Sequence, residues 1–303
     1  MQRLTAEHVT YRFAPDLEPT LSVKPGDRLQ IETLDSWSGR LRRPEDIHTV
    51  PFDPSLANPA TGPIAIIGAE PGDALIVQVE DIVVHPPGFA KIVPAGGILG
   101  GEVQSPYLRL VDVEGGEVVL KGWLPDRNLK LPLRPMIGVV GVAPPQGSIS
   151  TLWPGDHGGN LDINAVCPGS RVYLPVSVPG ALFALGDVHA TMGDGELSGA
   201  GVDICSTVTL VIDLAKGRGI KRPLLETPSA WITCAAAPSL LDAVRIATRD
   251  MVGLLSTQLG LAREDALLLV SACGDARIGE ACGSDVPATA WVSVPRSLAG
   301  GGS

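Results

Sequence analysis

KPGDRLQIETLD (residues 24–35) and EPGDALIVQVED (residues 70–81) share one plan. Each opens a turn with Pro-Gly-Asp, continues with apolar residues at alternate positions, and reaches a second aspartate ten residues after the proline. Pro-Gly is the chemistry of a type II turn, in which glycine takes the positive φ that side chains resist. Apolar residues at every second position mark a half-buried strand. CPGSRVYLPVSV (residues 167–178) is a weaker third copy. This recurrent hairpin idiom predicts that residues 1 to about 215 are strands and tight turns, as in a sandwich or barrel.

Composition points the same way. Of 303 residues, 36 are glycine, 27 are proline and only 4% are aromatic, a balance that favours many short strands over long helices. A hydrophobic share of 45% supplies a core. A net charge of −10 argues against nucleic acid or an anionic membrane surface as the main partner. The cysteines (Cys167, Cys205, Cys234, Cys273 and Cys282) are odd in number, scattered and free of any CxxC pair, which speaks against a disulfide framework and for a reducing compartment. The opening MQRLTAEHVTYRF has no apolar run of the signal-peptide kind. Residues 135–155 carry little charge, but Pro135, Pro144, Pro145 and Pro154 would break a spanning helix. The expectation is a cytoplasmic protein with no membrane partner. The tail LAGGGS reads as flexible.

Beyond residue 215 the texture changes. SLLDAVRIATRDMVGLLSTQLG (239–260) spaces Leu241, Val244, Met251, Leu255 and Leu259 as one helix face, with Ser239 as N-cap and Gly260 as C-cap. AREDALLLVSACG (262–274) reads as a second helix with acidic residues in its first turn, and its run Leu267, Leu268, Leu269 and Val270 reads as core. Short strands flank them in TLVIDLA and ATAWVSVP. The chain thus divides into a β-rich catalytic core, 1–215, and a smaller α/β portion, 216–303, assigned to packing or assembly because it offers few catalytic groups.

Two segments concentrate the chemistry. LFALGDVHATMGDGELSG (182–199) brings Asp187, His189, Asp194 and Glu196 within ten residues, and WPGDHGGNLDINAV (153–166) holds Asp156, His157, Asn160 and Asp162 beside Gly158 and Gly159. Two of the five histidines lie in these segments. Imidazole and carboxylate form a ligand set for zinc or a similar divalent ion. Asp187 and His189, two apart at a strand end, would point the same way and could grip one ion. Polar turn residues hydrogen-bonded to backbone are the other reading, and spacing alone does not choose. No phosphate loop and no Gly-x-Ser-x-Gly elbow is present. Cys205 reads as a core thiol, and His8, His48 and His85 as structural.

Together these stretches resemble the acetamidase/formamidase family. The resemblance is carried by the HGGN-x-D segment, the PGALF run and the GD-x-HA-x-x-GDGE segment within residues 156–204. It extends to LSVKPGDRLQIETLDSWSG, NPATGPIAIIGAEPGDALIVQVEDI and LLVSACGDARI, about residues 20–295 in all. It implies a mainly β, sandwich- or jelly-roll-like core with a smaller α/β portion, and an amidohydrolase that cleaves formamide or acetamide to carboxylate and ammonia. It further implies a divalent metal ion, expected to be zinc, and a homo-oligomer, which a mean hydropathy of +0.23 also favours. The matching positions are Asp35, His157, Asn160, Asp162, Asp187, His189, Asp194 and Glu196. Asp203, in SGAGVDI, stands where glutamate is expected.

From that resemblance Asp35, His157, Asp187 and His189 are expected as metal ligands and Gly158, Gly159 and Asn160 as substrate contacts. Glu196 is the expected proton shuttle, with Asp162 the next base. Asp35, the HGGN loop and the GDVH segment should then meet in one pocket. Amide hydrolysis needs an activated water, a stabilised oxyanion and a proton for the departing amine. For so small a substrate, selectivity would come from a pocket rimmed by glycine backbone and small side chains. A metal-dependent hydrolase of a longer or cyclic amide, and an inactive member that binds a small ligand or serves assembly, are the alternatives.

Overall fold

In the computed structural model, which describes residues 1–281 and 286–300, the three Pro-Gly turns are built alike. The N–H of the fourth residue donates to the carbonyl of the first, Asp27 to Lys24, Asp73 to Glu70 and Ser170 to Cys167, each at 3.0 Å. Gly26, Gly72 and Gly169 take φ of 89°, 94° and 90°, the left-handed position a type II turn requires. The fourth side chain then accepts from the first residue's N–H, at 2.8 Å for Asp27, 2.8 Å for Asp73 and 3.2 Å for Ser170. These aspartates are turn clamps, not site groups.

Each turn launches a strand: Arg28–Thr33, Ala74–Ile92 and Arg171–Pro175. In the first, Leu29, Ile31 and Thr33 are buried in alternation, as the period-2 pattern requires. The second runs through Asp81 instead of ending there. Its pairing with Asp203–Ala215 shifts register beside Asp81, so this aspartate marks a bulge in a strand of 19 residues.

The strands form two tiers. In one, Asp203–Ala215 runs antiparallel to both Ala74–Ile92 and Arg28–Thr33, and Arg171–Pro175 lies on the far side of Ala74–Ile92. In the other, Phe183–His189 runs antiparallel to Ala60–Ile66 and Met136–Gly141, with Gly158–Asn160 beyond the latter. Ile31, Val77 and Leu210 of the first tier share one hydrophobic core with Ile64, Ile137 and Phe183 of the second. This is the mainly β, sandwich-like core expected from the turns. Among the described strand pairings, only His189 opposite Asp203 joins the tiers.

The C-terminal strands Ala230–Ala237 and Ala288–Pro295 pair antiparallel and divide their side chains between two cores. Ile232, Cys234 and Trp291 enter the large core. Trp231, Ala235, Val292 and Val294 face the helices, packing with Ala247, Met251, Leu255 and Val270. Helix Leu240–Leu259 begins at Ser239, whose side chain accepts the Asp242 N–H, and ends at Gly260 with φ 67°. The second helix, Arg263–Cys273, has Glu264 and Asp265 in its first turn. Its leucine run corrects the sequence reading: Leu267 and Leu268 are 51% and 68% exposed, and only Val270 of the four is buried. On a helix four consecutive residues sweep past every face, so they cannot all reach one core. Cys282 and the last three residues of the tail lie outside the described residues. No described helix is long and apolar enough to cross a membrane.

Candidate active site

The site sits where the two tiers meet. His189 ends strand Phe183–His189 and is fully buried. Its Nδ1 lies 3.2 Å from Met136 Sδ and 4.0 Å from Asp162 Oδ1. Its Nε2 is ringed by carboxylate oxygens: Asp187 Oδ1 at 3.5 Å, Asp203 Oδ1 at 3.5 Å and Glu196 Oε1 at 3.6 Å. Among the described residues, His189 Nε2, Asp187 Oδ1, Asp203 Oδ1 and both oxygens of Asp162 are buried without a hydrogen bond.

The backbone is bent to aim these groups. Asp162, Asp187 and Glu196 have φ of 49°, 50° and 46°, a left-handed conformation that costs a non-glycine residue about 1–3 kcal/mol and persists only where packing enforces it. Two glycines leave the necessary room. A Cβ on Gly138 would stand 2.5 Å from Asp162 Oδ1, and one on Gly201 would stand 2.8 Å from His189 Cγ. Neutral donors hold the carboxylates: Asn58 Nδ2 donates to the outer Oδ2 of Asp187 at 2.9 Å, Ser36 Oγ to the outer Oδ2 of Asp203, and the Gly201 N–H to Glu196 Oε1, the oxygen that faces His189, at 2.9 Å. Asn58 also donates to Asn160 Oδ1, and Asn160 Nδ2 donates to Glu280 Oε2, both at 2.9 Å.

Electrostatics make this a costly assembly. Two like charges about 4 Å apart repel by about 4 kcal/mol at an effective dielectric of about 20. One imidazolium cannot neutralise Asp162, Asp187, Glu196 and Asp203 together. Burial, helped by neighbouring carboxylates, pushes Asp162 well above the usual range. Burial also pushes Glu196 up to about 8 against the pull of His189. Asp203 rises to about 6, burial outweighing the lowering by Lys91 and His189. Burial alone would lower His189, but the charges of Asp187, Asp203 and Glu196 outweigh it and hold the imidazole well above its ordinary value. The cluster therefore demands protons or a cation.

Two overlapping groups have ligand atoms within 4.8 Å of one another: Asp187, His189 and Asp203, and Asp162, His189 and Glu196. Imidazole with carboxylates suits a divalent ion such as zinc, and the unpartnered atoms are those such an ion would satisfy. Asp187, Glu196 and Asp203 face a cavity of about 520 Å³, together with Asn58, Asn160 and Glu280. Asp162 and His189 are not among its lining residues and stand behind that wall.

Several expected residues are elsewhere. Asp35 is buried, but its Oδ1 accepts the N–H groups of Trp37 and Gly39 at 3.1 and 2.8 Å. Its Oδ2 faces Cys205 Sγ at 3.6 Å and Arg42 at 3.7 Å. It closes a turn, and its neighbour Ser36 reaches the cluster instead. His157 packs edge-on against Phe13, ring centroids 5.1 Å apart, with both nitrogens buried and unpartnered among the described residues. Burial lowers it to about 4, and it belongs to neither ligand group.

Gly158 and Gly159 do not line the cavity. Cβ atoms there would come within 2.3 Å of Val140 O and 2.2 Å of Trp153 O, so they permit close strand packing. Asp194 pairs with Arg277 and Asn164, both at 2.6 Å. Of the sequence-predicted residues, Asn160, Asp162, Asp187, His189 and Glu196 come together. Ser36, Asn58 and Glu280 were missed. Asp203 was set aside as a departure, although it stands opposite His189. No local pattern distinguishes Ser36 or Asn58, and Glu280 comes from the portion assigned to packing.

Comparisons with known proteins give the family. The profile described as the Acetamidase/Formamidase family matches residues 2–153 and 146–298. The chain is 28% identical to an acetamidase of Mycolicibacterium smegmatis, over 68% of this chain and 66% of that protein. It is 29% identical to a formamidase of Methylophilus methylotrophus, over 71% of this chain and 67% of that protein. The alignments thus span about two thirds of the length of these relatives. The crystal structure of an acetamidase from Bacillus halodurans has a TM-score of 0.92 at 39% identity and covers 98% of both chains. Matched by the profile from residue 2 to residue 298, this chain belongs to the acetamidase/formamidase family.

Proposed function

We propose that the chain hydrolyses short linear amides at the acid cluster around His189, giving a carboxylate and ammonia. The observation that carries this reading is His189 Nε2 facing oxygens of Asp187, Asp203 and Glu196 at 3.5–3.6 Å. Family membership supports the reaction class. Asp187, His189 and Asp203 would hold a divalent ion, zinc being the choice the donor set favours. Such an ion, when bound, supplies a more acidic water, its pKa brought from 15.7 toward about 7, and a polarised amide carbonyl.

The chain's own groups do the rest. Glu196 faces the cavity with its Oε1 held by the Gly201 N–H. It is positioned to take a proton from water and deliver it to the departing nitrogen. Asn58 fixes Asp187, Ser36 fixes Asp203, and Asn160 fixes Glu280, so that no carboxylate must reorganise as charge develops. Asp162 stands behind His189, its Oδ1 4.0 Å from Nδ1, where it keeps the ring turned with Nε2 toward the other carboxylates.

A homo-oligomer is part of the same reading, supported by Leu241, Leu267 and Leu268 standing more than half exposed on the C-terminal helices. A reducing, cytoplasmic compartment fits the free thiols of Cys167, Cys205, Cys234 and Cys273. The test is ammonia release from formamide and acetamide by the purified protein, before and after chelation and re-addition of zinc. No ammonia from any linear amide at any metal loading overturns the reading.

A further inference from the structure

We infer that the cavity over the cluster is shaped for linear amides with an apolar acyl group longer than acetyl. This rests on reading the cluster as an amidase site. The cavity lining is of two kinds. Asn58, Asn160, Asp187, Glu196, Asp203 and Glu280 supply polar side chains. Trp37, Phe52, Pro54, Val93, Leu152 and Val286 supply apolar ones. An amide headgroup has partners among the first, and a hydrocarbon chain among the second.

Size decides between a large and a small acyl group. Acetamide displaces about three waters, ~90 Å³ at ~30 Å³ each. The cavity holds about 520 Å³, which leaves most of it unfilled by so small a ligand. A pocket selective for acetamide by exclusion would be closed by small side chains. Glycines do line part of the cavity, Gly96, Gly97 and Gly199, but Trp37, Phe52, Val93 and Leu152 line it as well. Trp37 and Phe52 pack with ring centroids 5.3 Å apart, and Phe52 remains 54% exposed. Half of an aromatic ring left in water at a cavity mouth is surface that an acyl chain would cover.

The glycine-rich segments beside the cavity are tied to each other, Ile98 N–H to Leu197 O at 2.9 Å, and Lys91 Nζ donates to Gly199 O at 2.7 Å. A Cβ on Gly97 would stand 2.6 Å from the Ser198 carbonyl carbon, so the two segments are in direct contact.

The experiment compares acetamide, propionamide, butyramide and hexanamide by ammonia release and, separately, by calorimetric binding. Each buried methylene should raise kcat/KM and affinity about fourfold, the factor that ~0.8 kcal/mol converts to. Hexanamide, with four more methylenes, should therefore exceed acetamide by about 250-fold. Leu152→Trp, which takes up cavity space, and Phe52→Ala, which removes apolar lining, should each lower the hexanamide-to-acetamide ratio tenfold or more. Flat or falling values from acetamide to hexanamide overturn the inference and leave the amidase reading standing. Tight hexanamide binding with no ammonia from any amide supports the cavity assignment and overturns the amidase reading.

Discussion

His157 immediately precedes strand Gly158–Asn160 and His189 ends strand Phe183–His189, and these two strands flank the same strand, Met136–Gly141, one on each side. Both sit among glycines and acids in sequence, and both are buried. Their surroundings are opposite. His189 has oxygens of Asp187, Asp203 and Glu196 at 3.5–3.6 Å from Nε2 and is held well above its ordinary pKa. His157 meets the edge of Phe13, and burial alone lowers it to about 4. A glycine-rich acidic segment does not by itself place a histidine among carboxylates. Convergence with other elements does.

The strongest break of this contrast exchanges the two histidines' expected consequences. His189→Ala should remove the bound metal and abolish ammonia release, read by elemental analysis and a coupled ammonia assay. His157→Leu should keep both within about threefold and leave Tm unchanged or higher, because replacing an unpartnered buried polar group by an apolar one of similar shape is neutral or stabilising. If His157→Leu loses the metal instead, the two segments are one site and the contrast fails.

Next in size is the separation of ligand from proton carrier. Glu196→Gln should retain metal and slow turnover by about 10²–10⁴-fold, the range of positioned acid–base catalysis. Metal loss in that variant would move Glu196 into the ligand set.

Gly138→Ala sharpens the comparison from the strand between the two segments. The new Cβ would press on Asp162 Oδ1 at 2.5 Å, on the His189 side of the strand. A misplacement of about 1 Å should lower kcat by about 10²-fold, with a loss of about 1–3 kcal/mol in stability from overpacking. Chemical denaturation and steady-state kinetics separate the two effects. Unchanged kcat would mean that Asp162 does not position His189.

The smallest effect contrasts site aspartates with turn aspartates. Asp73 is lowered to about 2, first by Lys216 and then by the Gly217 and Glu70 N–H groups. A carboxylate depressed on folding contributes stability that is fully present above its unfolded pKa of about 4 and is lost as pH falls through about 2. Asp73→Asn should therefore flatten the acid limb of the stability curve between about pH 4 and pH 2 and leave turnover at pH 7 unaltered. An unchanged acid limb would show that the clamp carries no linkage.

Legibility followed the range of the interaction. The Pro-Gly turns and the Ser239 and Gly260 helix caps were readable because each is closed by groups within a few residues. Asp187 and His189 were readable as a pair because a strand repeats every two residues. Asp35 was misread for a related reason: it ends the right strand, but Trp37 and Gly39 N–H groups capture its carboxylate and Ser36 reaches the cluster instead. The glycines expected at the pocket, Gly158 and Gly159, pack strands instead, and the cavity takes Gly96, Gly97 and Gly199 from segments far apart in the chain.

By itself, then, the sequence determined the turns, the strand periodicity, the helix boundaries and the family, since all of these lie in short-range chemistry or in long runs of matching residues. Only the tertiary structure decided that Ser36, Asn58, Asp203 and Glu280 join the site, that Asp35, His157, Gly158 and Gly159 do not line it, and that Leu267 and Leu268 face outward. The physical reason is that desolvation and charge coupling act through space. A carboxylate becomes part of the cluster when the pairing of His189 with Asp203 brings the two tiers together, and no spacing along the chain encodes that approach.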